Sequence, residues 1–289
     1  MLGLIFQILI NGALLGFLYA LLSLGLSFCF GITRVANSSI AAFTILSSFF
    51  AYWMLYYYGI DPLFCLPMNF ILFLILGMLV YRIIIYRVIG APLLIPFTIT
   101  YFLAFLCESI MVLLWKNDYR SIITSYSSIP IKIGELTIPF SRVITMIVCL
   151  LSFAAFIFVI KFTYAGKCFR AVWQDREAAQ LMGINVNRIL MLSYGISTGL
   201  AGIAGILFGL IFPFYPSLQS VWIGKLYAVV ALGGMGSIEG SLIAGLIFGI
   251  TESSVAALIS PLWGSIFGWL VMLFVLLIKP TGLFGEMVQ

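Results

Sequence analysis

Nine apolar stretches, most of them long enough to cross a membrane, follow one another along this chain, at 4–30, 38–58, 63–82, 93–114, 142–162, 189–212, 218–234, 238–258 and 262–279. About 20 apolar residues make a helix long enough to cross the hydrocarbon of a bilayer. The stretch 218–234 is short and glycine-rich and either crosses or re-enters, so the count is eight or nine. Only 8% of residues are charged, against roughly 25% in soluble domains, and mean hydropathy is +1.23. Such a chain lacks the polar surface to cover a globule in water. The expected fold is an all-α polytopic membrane protein, a single transmembrane domain over 1–289 whose first partner is the lipid bilayer. The first apolar run continues past the length of a signal-peptide core, and we read it as a retained span.

The net charge of +5 is scattered over short loops, which points to topology rather than to nucleic acid. Lys167, Arg170, Arg176 and Arg188 place the loop 163–188 in the cytoplasm; by alternation Arg34, Arg82 and Arg87 are also inside and Asp61 is outside. The loop 115–141 falls outside despite its basic residues. Within it, "IPIKIGELTI" alternates on either side of Gly134-Glu135, the pattern of a small β-hairpin or of a solvated loop. Five cysteines without a C-x-x-C spacing support neither a disulfide framework nor a zinc site, and no histidine supplies a near-neutral acid or base.

Small residues recur at helical spacing: Gly12, Gly16, Ala20, Ser23 and Ser27 in the first span, and Gly195, Gly199, Gly202, Gly205 and Gly209 in a later one. Gly236/Gly240, Gly245/Gly249 and Gly264/Gly268 are further pairs of this kind. Lipid provides no hydrophobic drive between helices, so close backbone approach has to supply the attraction. These are expected to be packing faces, with a pore lining as the alternative for some.

The stretch "KCFRAVWQDREAAQLMG" (167–183) interrupts the apolar pattern with five charges. Asp175 suits an N-cap, Glu177 the positive end of a helix dipole, and Gly183 the left-handed position that ends a helix. The spacing predicts a two-turn helix over 175–183. Isolated helices of that length are marginal in water. Two readings stand: an amphipathic loop lying on the bilayer, or a docking helix for a cytoplasmic partner.

This segment resembles the cytoplasmic coupling loop of branched-chain amino acid (Liv-type) ABC importer permeases. Gly166, Lys167, Arg170, Ala171, Gln174, Asp175, Glu177, Ala178, Ala179, Leu181, Met182, Gly183, Ile184, Asn185 and Val186 match the family's pattern. So do "VVALGGMGSIEGSLIAGLIFGITES" (229–253), "KPTGLFG" (279–285) and the first span, so the resemblance covers essentially the whole chain. It implies a permease subunit in the inner membrane of a bacterium, carrying a branched-chain amino acid or a related amino acid or amide. A second permease subunit, homologous or identical, two ABC ATPase subunits and an extracytoplasmic solute-binding protein would complete the importer. Arg170, Asp175, Glu177, Ala178, Ala179, Leu181 and Gly183 would then couple to the ATPase. ATP and Mg2+ would sit on those partners, since this chain has no phosphate-binding loop and is not expected to be an enzyme or to bind a cofactor. One stretch departs from the family: at "VANSSIAAFTILSSF" (35–49), Ser39, Ile40 and Ala41 stand near where the family carries His or Gln, Gly, and Glu or Asp.

Polar side chains in hydrocarbon usually face protein or water. Asn37, Ser38, Ser39, Thr98, Thr100 and Glu108 are therefore candidates for a translocation pathway, with Glu108 read as the only carboxylate deep in a predicted span. Gly233, Gly234 and Ser237 are candidates for a broken-helix element beside it. An ion-coupled secondary transporter acting without an ATPase is the competing function. The missing histidine and the lack of an evident inverted repeat weigh against it, and no paired carboxylates or nucleophile motif support a membrane enzyme. With the basic loop inside, a cysteine at Gln180 should react with an impermeant thiol reagent only from the cytoplasmic side; labelling in intact cells would reverse the orientation.

Overall fold

The computed structural model describes residues 2–127, 129–133 and 136–285. Its helices are α1 (Leu2–Thr33), α2 (Ile40–Tyr58), α3 (Cys65–Ile83), α4 (Leu94–Trp115) and α5 (Phe140–Phe162), then α6 (Tyr164–Gln174) and α7 (Arg176–Leu181). After these come α8 (Val186–Ile211), α9 (Leu218–Gly233), α10 (Ile238–Leu258) and α11 (Pro261–Ile278). Eight of them are long and apolar enough to cross a membrane, so the chain is a multi-pass membrane protein. The helix expected over 175–183 forms as α7, N-capped by Asp175. One element was not foreseen: the half-apolar stretch before Asp175 is helical too, as α6.

α9 has 16 residues, about 24 Å at 1.5 Å per residue. Its ends show how it runs. Ser217, just before it, bonds Asn117 beyond α4 (Ser217 N to Asn117 Oδ1, 3.3 Å). Its last turn is held by the backbone N–H groups of Leu283 and Phe284, which follow α11. α9 therefore runs from one end of the bundle to the other, as a ninth crossing. It is short because the preceding segment dips inward: Phe214 is fully buried and exchanges backbone hydrogen bonds with Arg120 (2.9 and 2.7 Å).

The expected hairpin forms, β1 (Pro130–Ile133) pairing antiparallel with β2 (Leu136–Pro139), Pro130 opposite Pro139. Gly134 and Glu135, expected at its turn, lie outside the described residues. Gln7 near the start of α1 donates to the Thr137 carbonyl (3.3 Å), which puts the hairpin at the opposite end of the bundle from α6 and α7. At that hairpin end Arg120 lies over the rings of Tyr52 and Trp53 (5.3 and 5.0 Å), and Tyr126 donates to Asp61 (2.9 Å). Burial first, and then Asp61, pushes the Tyr126 hydroxyl up to about 12, so it remains a donor.

α1 and α8 form the centre. α1 lies antiparallel on α10, with the small residues read from the sequence on both sides of the seam. A Cβ at Gly16 would come within 2.8 Å of the Leu246 Cα, and one at Gly12 within 2.7 Å of the Ile250 Cα. Ser23 and Ser27 donate across it to the carbonyls of Ser241 (3.3 Å) and Ser237 (3.1 Å). Gly195, Gly199 and Gly202 of α8 receive α3 in the same way, while Ser47 and Ser48 of α2 donate to the α8 carbonyls Gly202 (2.5 Å) and Gly205 (2.6 Å). This is packing by backbone approach and interhelical hydrogen bonds, as expected without a hydrophobic drive.

Gly16→Val should force α1 off α10 and cost at least the roughly 1–3 kcal/mol of an overpacked core. Gly224→Ala, where the added Cβ meets nothing nearer than Trp269 at 3.6 Å, should be close to neutral. Thermal unfolding of both purified variants checks this; equal midpoints would mean that the α1–α10 seam is not the tight contact described.

Candidate functional site

Two links between successive spans interrupt the helical run inside the bundle, and the polar residues gather there. Between α1 and α2 the link 34–39 is non-helical, yet Val35, Asn37, Ser38 and Ser39 are all buried. It sits inside the bundle. Thr100 lies six residues into α4 and Tyr194 eight residues into α8, about 9–12 Å from the end where α7 lies. Irregular backbone at such depth survives only where protein satisfies it. The Asn37 carboxamide oxygen accepts from Ser39 N (3.1 Å), Ser39 Oγ (2.5 Å) and the Tyr194 hydroxyl (3.0 Å). Thr100 Oγ1 accepts from Ser38 N (3.2 Å) and donates to the carbonyl of Ala36 (3.0 Å). Ser38 Oγ meets the Tyr227 hydroxyl of α9 at 2.8 Å, and the Asn37 amide nitrogen is buried without a partner.

Tyr227 lies where α9 faces α4. α4 reaches α9 through the Phe97–Tyr227 ring contact (6.0 Å) and a hydrogen bond from Gln219 Nε2 to Glu108 Oε2 (2.7 Å). Ser38, Thr100 and Glu108 of the expected pathway residues thus lie along this α4–α9 seam, Ser38 and Thr100 fully buried, with Asn37 and Ser39 directly behind. Thr98 is not among them: it is exposed and donates to its own helix at Leu94 O (2.7 Å). Sequence reasoning missed Tyr194, Gln219 and Tyr227, whose polar tips are at the ends of apolar rings or at a helix start. Two cavities of about 520 and 530 Å³ lie elsewhere, between α2, α3 and α4 and between α3, α5 and α8; their walls are almost wholly apolar.

The second interruption is 234–237, between α9 and α10. Gly233 and Ser237 bracket it, Gly234 takes a φ of 98°, and Ser237 caps α10 by accepting from Gly240 N (2.9 Å). Residues after α11 clasp it: Leu283 N donates to Leu232 O (2.9 Å) and Phe284 N to Gly233 O (3.0 Å). Gly282, at φ 80°, passes so close that a Cβ would lie 2.5 Å from Ala231 O, which gives the "PTGLFG" motif a structural reason.

At the same end lie α6 and α7. Asp175 Oδ1 accepts from Glu177 N (2.8 Å) and Ala178 N (3.1 Å), and Gly183 has φ 83°, so both ends are fixed as the sequence implies. Arg170, Asp175, Glu177 and Ala178 are exposed, and Leu181 and Met182 are 88% and 83% exposed, an apolar tip pointing off the bundle; Ala179 is buried instead and holds α7 down. Arg176, which the sequence reading used only for topology, turns inward and donates to the Ile32 carbonyl at the end of α1 (2.7 Å). Burial, and then Arg34, pull its guanidinium below the usual range, and it nevertheless stays a cation.

Glu108 proves not to be the only carboxylate deep in a span. Glu252 of α10 pairs with Lys225 of α9 (2.6 Å), accepts from Tyr19 of α1 (2.5 Å) and from Ser265 of α11 (2.9 Å), and Lys225 lies over the Trp222 ring at 5.2 Å. Both charged side chains are 10–13% exposed. Four helices meet on this pair. Each charge alone merely interrupts an apolar run in the sequence; only the packing of α9 on α10 reveals the partner.

The family model described as branched-chain amino acid transport system / permease component matches residues 8–276. The chain belongs to this family. It is 28% identical to a probable branched-chain amino acid transport permease protein LivH of Methanocaldococcus jannaschii, over 96% of this chain and 92% of that one. It is 25% identical to the permease protein BraD of a high-affinity branched-chain amino acid transport system of Pseudomonas aeruginosa, over 97% and 95%. With the high-affinity branched-chain amino acid permease protein LivH of Escherichia coli it shares 32% identity over 50% of this chain, a match that spans about half of that relative (47%). No solved structure matches the chain.

Breaking the buried pair from one side leaves an uncompensated charge. Lys225→Met should lower stability by about 3–5 kcal/mol, and the double variant Lys225→Met/Glu252→Gln should recover most of it. Thermal unfolding in detergent reads the difference; a double variant as unstable as the single one would show that the charge pairing is not what matters.

Proposed function

We propose that this family member is the membrane-spanning permease subunit of an ABC importer in a bacterial-type inner membrane, carrying a branched-chain amino acid or a closely related amino acid or amide. The observation that carries the reading is α7. It is capped at both ends and presents Leu181 and Met182 to solvent directly beneath the two interrupting links. A short helix with an apolar tip of that kind is stable only against a partner. The relatives are named as permease proteins of branched-chain amino acid transport systems, and the match of 166–186 to the coupling loop of ABC importer permeases makes ATPase subunits the class of partner; this chain has no phosphate loop of its own. ATP and Mg2+ belong to those subunits.

Orientation follows from charge. Arg34, Arg82, Arg87, Lys161, Lys167, Arg170, Arg176, Arg188 and Lys279 lie at the α7 end, against Lys116, Arg120, Lys132 and Arg142 at the hairpin end. The positive-inside rule makes the α7 end cytoplasmic, and the hairpin end then faces a solute-binding protein. The solute would move along a crevice opened between α4 and α9, lined by hydroxyls and aromatic rings with one carboxylate. That lining suits a small zwitterion with an apolar side chain better than an ion. A second permease subunit, identical or homologous, completes the membrane portion.

The test is reconstitution of this chain with its ATPase subunits and binding protein in proteoliposomes, following radiolabelled leucine, isoleucine and valine. Uptake should require ATP. Glu177→Arg and Gly183→Val should leave membrane abundance unchanged, weaken ATPase co-purification by roughly tenfold or more, and abolish uptake. The Gly183 change acts by placing a Cβ in left-handed backbone, at about 1 kcal/mol or more. Uptake driven by a proton or sodium gradient without the ATPase would establish the secondary-transporter reading instead.

A further inference from the structure

We infer that Arg176 and Trp173 are the positioning residues that carry movement of α7 to the two links that interrupt the helical run inside the bundle. The inference rests on the coupling role proposed for α7 and adds the route. The unit formed by α6 and α7 touches the bundle at two places: the end of α1, where the largely buried link 34–39 begins, and the link 234–237, where Gly236 is buried and Met235 exposed. Arg176, the first residue of α7, donates to the Ile32 carbonyl in the last turn of α1. Trp173, one residue before the end of α6, lies against Gly31 and Gly236. Its ring is 3.3 Å from where a Cβ on Gly31 would stand and 3.5 Å from one on Gly236.

The Arg176 contact is the stiffer of the two. The last carbonyls of a helix have no intrahelical partner, and they carry the negative end of its dipole. In α1 the carbonyl of Cys29 accepts from Thr33 Oγ1 (2.8 Å) and that of Phe30 from Arg34 N (2.9 Å), and the Ile32 carbonyl accepts from Arg176. Ile32 is 1% exposed, so withdrawing the guanidinium leaves that carbonyl bare. α1 and α7 therefore move together or pay the desolvation of a buried acceptor. Directly after this contact Arg34 holds a φ of 58°, a left-handed conformation unusual for a residue with a side chain. Three residues further on comes Asn37, whose carboxamide oxygen receives Tyr194, and then Ser38, which meets Tyr227 at the α4–α9 seam.

The Trp173 contact works on the other break. Gly31 and Gly236 lie against each other, and the indole covers both. Ser27 ties α1 to the same link by donating to Ser237 O (3.1 Å). A shift of α6 is thus delivered to the start of α10 and, through the 234–237 link, to the inner end of α9. The α1–α2 link and α9 are thus both reached from one cytoplasmic unit, without any contact between the ATPase and the spans.

A reporter at Ser38 tests this in the complex with its ATPase subunits. Cys29, Cys65, Cys107, Cys149 and Cys168 are replaced and Ser38→Cys is introduced; labelling by N-ethylmaleimide is timed without nucleotide and in the vanadate-trapped state. With Arg176 and Trp173 in place, the rate should differ between the two states by at least about fivefold, the lower end of ordinary coupling between two sites. Arg176→Gln should keep ATPase co-purification at the parent level and reduce that difference below about twofold, with Trp173→Ala acting in the same direction. Arg176→Lys, which keeps the charge at the helix end but loses the planar fork, should restore part of the response and guards against a simple folding defect. A full nucleotide response in Arg176→Gln overturns the inference, as does loss of the ATPase from that variant, or a reporter rate that nucleotide never changes. Failure of the underlying docking reading shows up elsewhere, as unaltered ATPase co-purification in Glu177→Arg.

Discussion

A backbone carbonyl left bare inside hydrocarbon costs several kcal/mol, and the places where this fold spends side chains are the places where its helices stop. The end of α1 is closed by Thr33, Arg34 N and Arg176; the Ala36 carbonyl by Thr100; the end of α9 by Leu283 N and Phe284 N. Thr33 and Arg34 are local, but Arg176, Thr100, Leu283 and Phe284 are each delivered by a different element, so both interruptions are also ties between distant parts of the chain. That is how a protein with few charges can still specify one arrangement of its helices.

Between these ties the bundle is of two kinds. α1, α8 and α10 meet their neighbours through glycine and serine, with backbones in contact and hydroxyls donating across the seams. At Gly12, Gly16, Gly205, Gly245 and Gly249 such contacts leave no slack, because a single added methyl would collide with backbone rather than with a movable side chain. α4 and α11 are different, with most of their surface directed away from the bundle. The α4–α9 seam lies at the boundary, with α9 and the α1–α2 link on the rigid side and α4 on the looser one. Lys225 and Glu252 secure α9 against α10, apart from its contacts with α4 through Tyr227 and Gln219.

The spans were legible in the sequence because length and hydropathy decide them, and so were the caps of α7, because Asp175 and Gly183 act on their own immediate backbone. The small-residue faces were legible for the same reason: their period is local. What stayed hidden depends on pairs. Lys225 and Glu252 each look like an interruption of an apolar run, and only the meeting of α9 with α10 makes them partners. Arg176 reads as one more basic residue of a cytoplasmic loop until α7 folds back under α1. Glu108, singled out for its charge, is half-exposed and bonded to Gln219, while the more buried carboxylate was overlooked. The ninth crossing was uncertain because α9 is shortened by flanking backbone that dips into the bundle, and hydropathy counts residues, not depth.

The stretch that departs from the family's pattern can now be placed, and its position explains why the departure is tolerated. Ser39, Ile40 and Ala41 form the first turn of α2 and are 0–1% exposed. The polar groups at hand there are neutral: the carboxamide of Asn37 and the hydroxyls of Tyr194, Tyr227 and Thr100. No cation among the described residues bonds this turn. An ionised carboxylate in that setting would be buried without a counter-charge, which is the arrangement membranes penalise most heavily. The chain instead carries hydroxyl and hydrocarbon there, and it balances the link with hydrogen bonds alone. The hydroxyls and carboxamide of the 34–39 link bond one another and their neighbours on α4, α8 and α9, so the turn stays neutral throughout.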